Sequence, residues 1–345
     1  MNSNKTVWMI NAMKAVFITF VLLIHCSSYI GPSVKGSVIY EYLIELAVPF
    51  FMVLSGYTFS LSIGRLEKCW EWYKKKVLMR KLLRFFIPIT ITCIVFVILK
   101  LFEKATFRNI AYSLLTIDLG PGSYYFALVI EALFVFPLIY FLVSRWGKYG
   151  VIVLCFLNAL FEGLATVIDL NPILYSRGII RFIAFLGFGV FIYNLKKRKE
   201  KRNFFIILFC IILMLLGATW IYFTRFIEYK TIVFTKNIVY ALPVLMWVGP
   251  IVLLFLLYLD DLCPRNRTVR VFFDVIGRAS FHILSVQMIW FLYLPNIYRI
   301  IHVHGLMLSL LSIGFAFLAG ITFYYSDLWV QKKVSAYIFA NEEKK

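Results

Sequence analysis

Ten apolar stretches, each long enough to cross a bilayer as a helix, follow one another along the sequence. A spanning α-helix needs about 20 mostly apolar residues, because each residue advances the helix by about 1.5 Å. The other structure that can cross lipid is a closed β-barrel, whose strands are shorter and alternate in hydrophobicity. The predicted spans cover residues 8–29, 37–63, 85–102, 124–144, 150–168, 178–194, 204–224, 237–258, 272–294 and 306–330.

The composition fits a chain that folds in lipid. Hydrophobic residues make up 62% and charged residues 15%, whereas a soluble domain has about 45–50% apolar and about 25% charged residues. The net charge of +19 would suit a nucleic-acid partner, but the basic residues lie in short runs between the apolar stretches. We therefore predict membrane lipids and no nucleic acid as partners. We also predict one integral-membrane domain over residues 1–345, with no appended soluble domain.

Lysines and arginines are distributed unequally between the two sides of the predicted bundle. Eight of the 36 lie from Gly64 to Arg84 and six from Leu195 to Arg202. If ten helices are threaded through the bilayer, 24 basic residues lie on one side, eight on the other and four within spans. Cytoplasmic loops carry the excess of Lys and Arg. The sequence therefore predicts an all-α, polytopic transmembrane bundle of about ten helices with both termini in the cytoplasm.

The first span carries two ionisable residues on one face. Ten residues separate Lys14 from His25, so at about 100° per residue they lie about 20° apart around a helix. Their separation along the axis is about 16 Å, with Lys14 towards the cytoplasm. Ionisable groups inside a membrane are costly and are functional candidates by default. The alternative interpretations are a lysine that snorkels to the interface and a histidine that only bonds a neighbouring helix.

Two layers of polar residues result when the other spans are aligned with the first by depth. A layer near Lys14 would bind an anionic ligand from the cytoplasm, and a deeper layer near His25 would transfer protons. Structural ion pairs of Glu45 and Glu131 with Arg181 are an alternative, and the same residues would suit a transporter. The first layer comprises Lys14, Arg84 and Arg278, and the deeper layer His25, Glu45, Glu131 and Gln287, with Arg181 slightly nearer the outer surface.

The residue types in the two layers match the chemistry of group transfer to a hydroxyl. A hydroxyl becomes a good nucleophile when a base takes its proton, and histidine suits that role near neutral pH. A carboxylate such as Glu45 or Glu131 would orient the ring and stabilise its protonated form. A donor that bears phosphate would need Lys and Arg at the cytoplasmic face.

Five further segments follow one another along almost the whole chain: Val48–Tyr57 (VPFFMVLSGY), Met79–Pro88 (MRKLLRFFIP), Ser123–Leu138 (SYYFALVIEALFVFPL), Phe185–Tyr193 (FLGFGVFIY) and Ile276–Phe291 (IGRASFHILSVQMIWF). Together with the spacing of Lys14 and His25, which resembles an Arg/Lys-x10-His signature, they are similar to the segments of the membrane acyltransferase 3 family. Each segment alone is weakly specific, and the ordered set is more so.

The resemblance implies transfer of an acyl group, usually acetyl, from cytoplasmic acetyl-CoA to a carbohydrate hydroxyl. The acceptor would be a cell-surface polysaccharide or a lipid-linked glycan, and the protein would be a multi-pass protein of the bacterial plasma membrane. It also implies that His25 is the catalytic base and that Lys14 and Arg84 serve the donor phosphates or the catalytic face. We expect Arg278 to bind the donor as well. The candidate substrate-binding residues are Arg181, Gln287 and Tyr125.

Two positions depart from the family pattern. Lys14 stands where the family often has Arg, which keeps the charge but loses the bidentate fork. Gln287 stands where many members have His, and we interpret it as a subgroup trait.

A transporter or exporter of a small acidic or amino-acid substrate is the second hypothesis, and a structural scaffold the third. An enzyme should bind CoA, whereas a carrier need not. A scaffold would gain little from buried Lys, His, Glu and Arg. The six cysteines and four histidines show no metal-binding spacing, although His302 and His304 share a predicted loop, so no metal is predicted. The sequence predicts no oligomeric state.

Overall fold

The chain folds into a bundle of helices in the computed structural model, which describes residues 3–30, 34–198, 204–229, 240–259, 264, 266–301 and 305–340. Within these ranges there is no β-strand. A π-helical turn, Tyr40–Ile44, precedes the second helix. The helices are α1 (Ser3–Ile30), α2 (Ala47–Ile63), α3 (Lys75–Phe102), α4 (Phe107–Leu115), α5 (Tyr124–Trp146), α6 (Lys148–Val167), α7 (Pro172–Arg177), α8 (Ile183–Lys197), α9 (Phe204–Arg225), α10 (Leu245–Tyr258), α11 (Arg267–Ile301) and α12 (Gly305–Ala340).

The predicted polytopic helical bundle is confirmed. Nine of the described helical segments are long and apolar enough to cross a membrane. The remaining predicted span, residues 237–258, corresponds to a shorter apolar segment, Leu242–Tyr258; residues 237–239 lie outside the described residues. The placement of both termini in the cytoplasm remains a prediction.

Helix α3 begins at Lys75, ten residues before the start that hydropathy predicts. Its first turns carry several lysines and arginines, so an apolar window misses them, although basic side chains are compatible with a helix that continues beyond the lipid. Two short helices, α4 and α7, also lie within segments predicted as loops. The α7 helix has Pro172 in its first turn, and the Asn171 side chain accepts a hydrogen bond from the N–H of Ile173 at 2.8 Å, which satisfies a free N–H at the helix start.

Glycine, which lacks a side chain, brings helix backbones into contact at several crossings. A Cβ added at Gly277 of α11 would lie 2.0 Å from the carbonyl oxygen of Asn11 in α1. In the same way, a Cβ at Gly56 of α2 would lie 2.1 Å from the carbonyl oxygen of Leu186 in α8. Small residues let membrane helices pack closely, where dispersion contacts and interhelical hydrogen bonds replace the hydrophobic effect. These contacts fix α1 against α11 and α2 against α8.

Several peripheral helices expose large apolar side chains. Phe102 of α3, Leu215 of α9 and Leu318 of α12 are each more than 60% exposed. A continuous apolar surface of this kind is stable in hydrocarbon and would aggregate in water. The outer surface of the bundle is therefore suited to contact with lipid.

A short 3-10 helix, Cys69–Tyr73, packs against the middle of α5. Pro137 has no N–H, so the carbonyl of Leu133 lacks its usual partner within α5. The buried indole N–H of Trp72 donates to this carbonyl at 2.8 Å. The Tyr73 hydroxyl donates to the next carbonyl, that of Phe134, so two hydrogen bonds join the segment before α3 to α5 near Pro137.

Candidate functional site

Four cations surround a cavity of about 300 Å³ between α1, α2, α3, α5, α11 and α12, here called the basic cavity. Among the described residues that line it, Asp327 is the one acidic residue. Ser55, Thr58 and Ser62 add hydroxyl groups along α2. An excess of positive charge beside hydroxyl donors favours an anionic ligand. The four cations are Lys14, Lys81, Arg84 and Arg278.

Two contacts fix the side chain of Lys81, which lies in the first turns of α3. Its Nζ donates to the Ser62 hydroxyl at 2.5 Å and lies 3.8 Å from the ring centroid of Trp72, a cation–π contact. The hydrogen bond of Trp72 to the Leu133 carbonyl of α5 therefore also positions a cation of the basic cavity. Arg278, by contrast, forms an ion pair with Asp274 at 2.8 Å and is half exposed, so its interaction with a ligand would be screened by solvent.

A buried histidine–aspartate pair lies in the wall of the same cavity. His282 Nε2 lies 2.7 Å from Asp327 Oδ2, and this contact joins α11 to α12. The two residues are 6% and 1% exposed. Gln331 donates to the same carboxylate oxygen at 2.5 Å.

A second, smaller cavity of about 170 Å³ adjoins the basic cavity; we call it the central cavity. His25 lines it together with mostly apolar side chains, including Ile18 and Val48. Both cavities are lined by the same four residues of α2, α5 and α11, which therefore separate them. These residues are Phe51, Tyr125, Ser280 and Phe281.

A third cavity of about 570 Å³ lies on the other side of His25; it is called the carboxylate cavity. Its wall includes Glu41 and Glu45 together with Lys35 and Arg225. It shares two lining residues, Ile24 and His25, with the central cavity. The imidazole of His25 therefore lies at the boundary between the two.

The loop before α5 brings backbone close to the His25 ring. Gly122 has φ +87°, a left-handed conformation that glycine adopts without strain. The Cβ position of Gly122 lies 3.8 Å from His25 Nε2 and 3.5 Å from Gln287 Nε2. Gln287 also donates to the carbonyl of Pro121 at 3.4 Å, and the Phe291 ring lies 5.5 Å from the imidazole between centroids. Gln287 thus lies beside His25 and contacts the loop that covers it.

Glu45 lies in the carboxylate cavity with His25, but its carboxylate is paired with a different residue. Arg225 Nη2 contacts Glu45 Oε2, and Arg225 Nε lies 2.8 Å from Glu41 Oε2. One guanidinium therefore bridges two partly buried carboxylates from the segment before α2. The hypothesis that Glu45 pairs with Arg181 is wrong in this structure.

Glu131 and Arg181 lie outside the walls of the three cavities among the described residues. Glu131 accepts a hydrogen bond from the N–H of Ile179 at 2.8 Å, which fixes the turn that leads to Arg181. Arg181 is 1% exposed, and its guanidinium lies 4.3 Å from the ring centroid of Tyr175. Burial raises the pKa of the Tyr175 phenol, which stays protonated and donates to Glu162 at 2.7 Å. The structure therefore does not bring Glu131 or Arg181 to His25.

The three cavities form a row across the bundle. The cations occupy one end, the Glu41–Glu45–Arg225 cluster the other, and His25 lies between the central and carboxylate cavities. Such a row can hold an anionic ligand at one end and a polar ligand at the other, with a group that transfers protons at their meeting point.

The family model of an acyltransferase domain, that of the acyltransferase 3 family, matches residues 8–329. The chain belongs to the acyltransferase 3 family. The match includes every residue that lines the basic, central and carboxylate cavities except Gln331. No curated protein and no solved structure matches the chain.

In this acyltransferase, Lys14, Arg84 and Arg278 lie together in the basic cavity, as the depth alignment predicts. Tyr125 lies between the basic and central cavities. Gln287 contacts the Gly122 loop beside His25. Whether these residues act in catalysis or binding remains a prediction.

Sequence reasoning missed several features of the site. Asp327 is an acid within the last apolar span, and that position was a sufficient signal for a buried partner. The cation–π contact of Lys81 and the role of Gly122 had no comparable signal, because both depend on loops whose path the sequence does not predict. Among the described residues there is no cluster of three or more potential metal ligands; His302, His304 and Cys263 lie outside them.

Proposed function

We propose that this membrane acyltransferase moves an acyl group, in particular acetyl, from cytoplasmic acyl-CoA to a hydroxyl of a cell-envelope carbohydrate or lipid-linked glycan. The observation that carries the proposal is the position of His25. It lines both the central and the carboxylate cavity, and the central cavity adjoins the basic cavity. A donor from one side and an acceptor from the other would therefore meet at its imidazole.

The reaction is a direct displacement at the thioester. His25 takes the proton of the acceptor hydroxyl while the hydroxyl oxygen attacks the thioester carbonyl carbon. The carbon–sulfur bond then breaks, CoA leaves as the thiolate, and the proton from the hydroxyl finally protonates this thiolate. The products are an ester and CoA with a free thiol. The apolar walls of the central cavity limit access of water to the thioester, which favours transfer over hydrolysis.

The donor phosphates would bind in the basic cavity. Lys14, Lys81 and Arg84 are the best placed, because Arg278 already pairs with Asp274 and is half exposed. Lysine acts on phosphate as a point charge and arginine as a planar fork. This arrangement puts the basic cavity on the cytoplasmic side, consistent with the excess of basic loops there.

The acceptor would enter through the carboxylate cavity. Carboxylate and guanidinium groups such as those of Glu41, Glu45 and Arg225 form hydrogen bonds with the many hydroxyls of a carbohydrate. Glu45 would then contribute to acceptor binding next to His25 and not orient the ring directly. The protein would lie in the bacterial plasma membrane with this cavity open to the outer face.

The first test compares acetyl-CoA binding and slow thioester hydrolysis in wild type and His25→Ala, purified in detergent. We expect both proteins to bind and the variant to lose hydrolysis by about 10²–10⁴-fold, the usual contribution of a general base. Ser309→Ala is a matched control, because Ser309 is a buried polar residue that bonds within α12 and lines none of the three cavities. Failure of folded wild type to bind CoA would overturn the proposal.

Family membership favours the acyltransferase over the transporter. A row of cavities would also suit a carrier of a small acidic or amino-acid substrate, and the two differ in their need for a donor. If CoA does not bind, flux of such substrates into proteoliposomes becomes the decisive measurement.

A further inference from the structure

The His282–Asp327 pair in the wall of the basic cavity has no role in the proposed chemistry at His25. Asp327 Oδ2 forms two hydrogen bonds, with His282 Nε2 at 2.7 Å and with Gln331 Nε2 at 2.5 Å, and these fix the position of the carboxylate. An acid and an imidazole inside a membrane bundle are costly to bury. Both residues line the basic cavity although they are almost fully buried.

Each residue of the pair also has one polar atom without a hydrogen-bond partner among the described residues. His282 Nδ1 and Asp327 Oδ1 are buried and have no hydrogen-bond partner among the described residues. With Nε2–H donating to the carboxylate, the neutral ring presents Nδ1 as an acceptor. The carboxylate oxygen Oδ1 is also an acceptor. Two buried acceptors without donors are unfavourable, so a ligand that supplies an N–H or O–H would complete them.

The pair lies between His25 and the cytoplasmic end of the basic cavity. Gln287 and Phe291 of α11 lie beside His25, and His282 precedes them by five and nine residues, or about 7–13 Å at about 1.5 Å per residue. The surrounding wall carries Lys14, Lys81 and Arg84. A ligand that fills this part of the basic cavity therefore needs an anionic group for the cations and hydrogen-bond donors for His282 and Asp327.

We propose that His282, held by Asp327, binds the amide and hydroxyl groups of the pantetheine arm of the acyl donor, while the neighbouring cations bind its phosphates. This subsite rests on the proposed function, because it assumes CoA as the donor. Pantetheine carries N–H and O–H groups between the thioester and the pyrophosphate. It therefore matches both the unused acceptors and the position of the pair along the row of cavities.

The test uses His282→Gln in the full-length protein. A glutamine Nε2 can still donate to Asp327 and so keep the link between α11 and α12, but the side chain has no counterpart of Nδ1. Binding is measured by calorimetry in detergent with two probes, CoA and adenosine 3′,5′-bisphosphate. The second probe has phosphates and adenine but no pantetheine arm.

We expect His282→Gln to weaken CoA binding about five- to tenfold, the effect of one hydrogen bond. Binding of adenosine 3′,5′-bisphosphate should stay within about twofold, because the cations are unchanged. A merely structural role would affect both probes alike. Should His282→Gln fold poorly, Asp327→Asn serves as the second variant, with the same expected difference between the probes.

Three outcomes would overturn the inference. Equal weakening of both probes would place the pair at the nucleotide or in the scaffold. Unchanged CoA binding would show that the pair does not touch the donor, and would leave the proposed function intact. No CoA binding by wild type would overturn the proposed function together with this subsite.

Discussion

Replacing Gly277 by alanine should force α1 and α11 apart. The added Cβ would lie 2.0 Å from the carbonyl oxygen of Asn11, whereas ordinary van der Waals contact begins at 3.4 Å. The obstacle is helix backbone and not the end of a flexible side chain, so the helices must separate by about 1 Å or more. Overpacking of this kind costs about 1–3 kcal/mol.

The same separation would stretch an interhelical hydrogen bond. Asn11 Nδ2 donates to Asp274 Oδ1 at 2.7 Å. Asp274 lies three residues, or about one helical turn, before Gly277. A hydrogen bond to a charged group contributes about 1.5–3 kcal/mol. If the bond is lost together with the packing, the free energy of unfolding should fall by about 2.5–6 kcal/mol.

Reversible denaturation in mixed micelles measures this change, with Gly314→Ala as the matched control. Gly314 lies in α12, and a Cβ there would meet no atom within 4 Å. Alanine at that site should be neutral or should stabilise the helix by up to about 1 kcal/mol. Equal stability of the Gly277→Ala and Gly314→Ala proteins would refute the backbone contact between α1 and α11.

Two further predictions concern the loops that hold the site, and both use the same denaturation measurement. Trp72→Phe should lower stability by about 1–2 kcal/mol, because it leaves the Leu133 carbonyl without a donor. This cost should shrink in a Pro137→Ala background, where residue 137 regains its N–H; an unchanged cost would contradict the idea that Trp72 replaces this missing donor. Arg225→Gln should lower stability by about 1–3 kcal/mol, because two carboxylates lose their cation. Adding Glu45→Gln should recover part of that loss, and no recovery would argue against the cluster.

Hydropathy and charge predict the helical bundle because both are properties of whole segments. Depth alignment places Lys14 with Arg84 and Arg278 for the same reason, since the rise per residue is nearly constant along a helix. It also puts Glu45 near the level of His25, since both line the carboxylate cavity, but it does not predict the direction of the Glu45 side chain. The π-helical turn before α2, in which the N–H of Glu45 donates to the carbonyl of Tyr40 at 2.9 Å, changes the rotation of this segment relative to α2. Glu45 consequently points to Arg225.

Tertiary partners are the part of the site that the sequence does not predict. Glu131 has the right depth for His25, but the turn at Ile179 supplies a nearer hydrogen-bond donor. Asp327 and His282 lie on helices that are adjacent in the chain, yet their contact depends on the crossing of α11 and α12. Alignment by depth predicts which residues lie at the same height in the membrane. Which of these residues contact each other depends on how the helices pack.

The backbone contacts between α2 and α8 have a consequence for motion. Gly56 and Gly189 each place one helix within van der Waals distance of the other's backbone, so this pair cannot slide or rotate without a clash. Helix α3 is different: few of its residues are buried, and Pro88 removes the N–H that would bond the carbonyl of Arg84. We expect α2 and α8 to stay fixed relative to each other while α3 bends at Pro88. Its two cations, Lys81 and Arg84, then move outward once the Lys81–Ser62 hydrogen bond breaks, and the basic cavity admits a ligand.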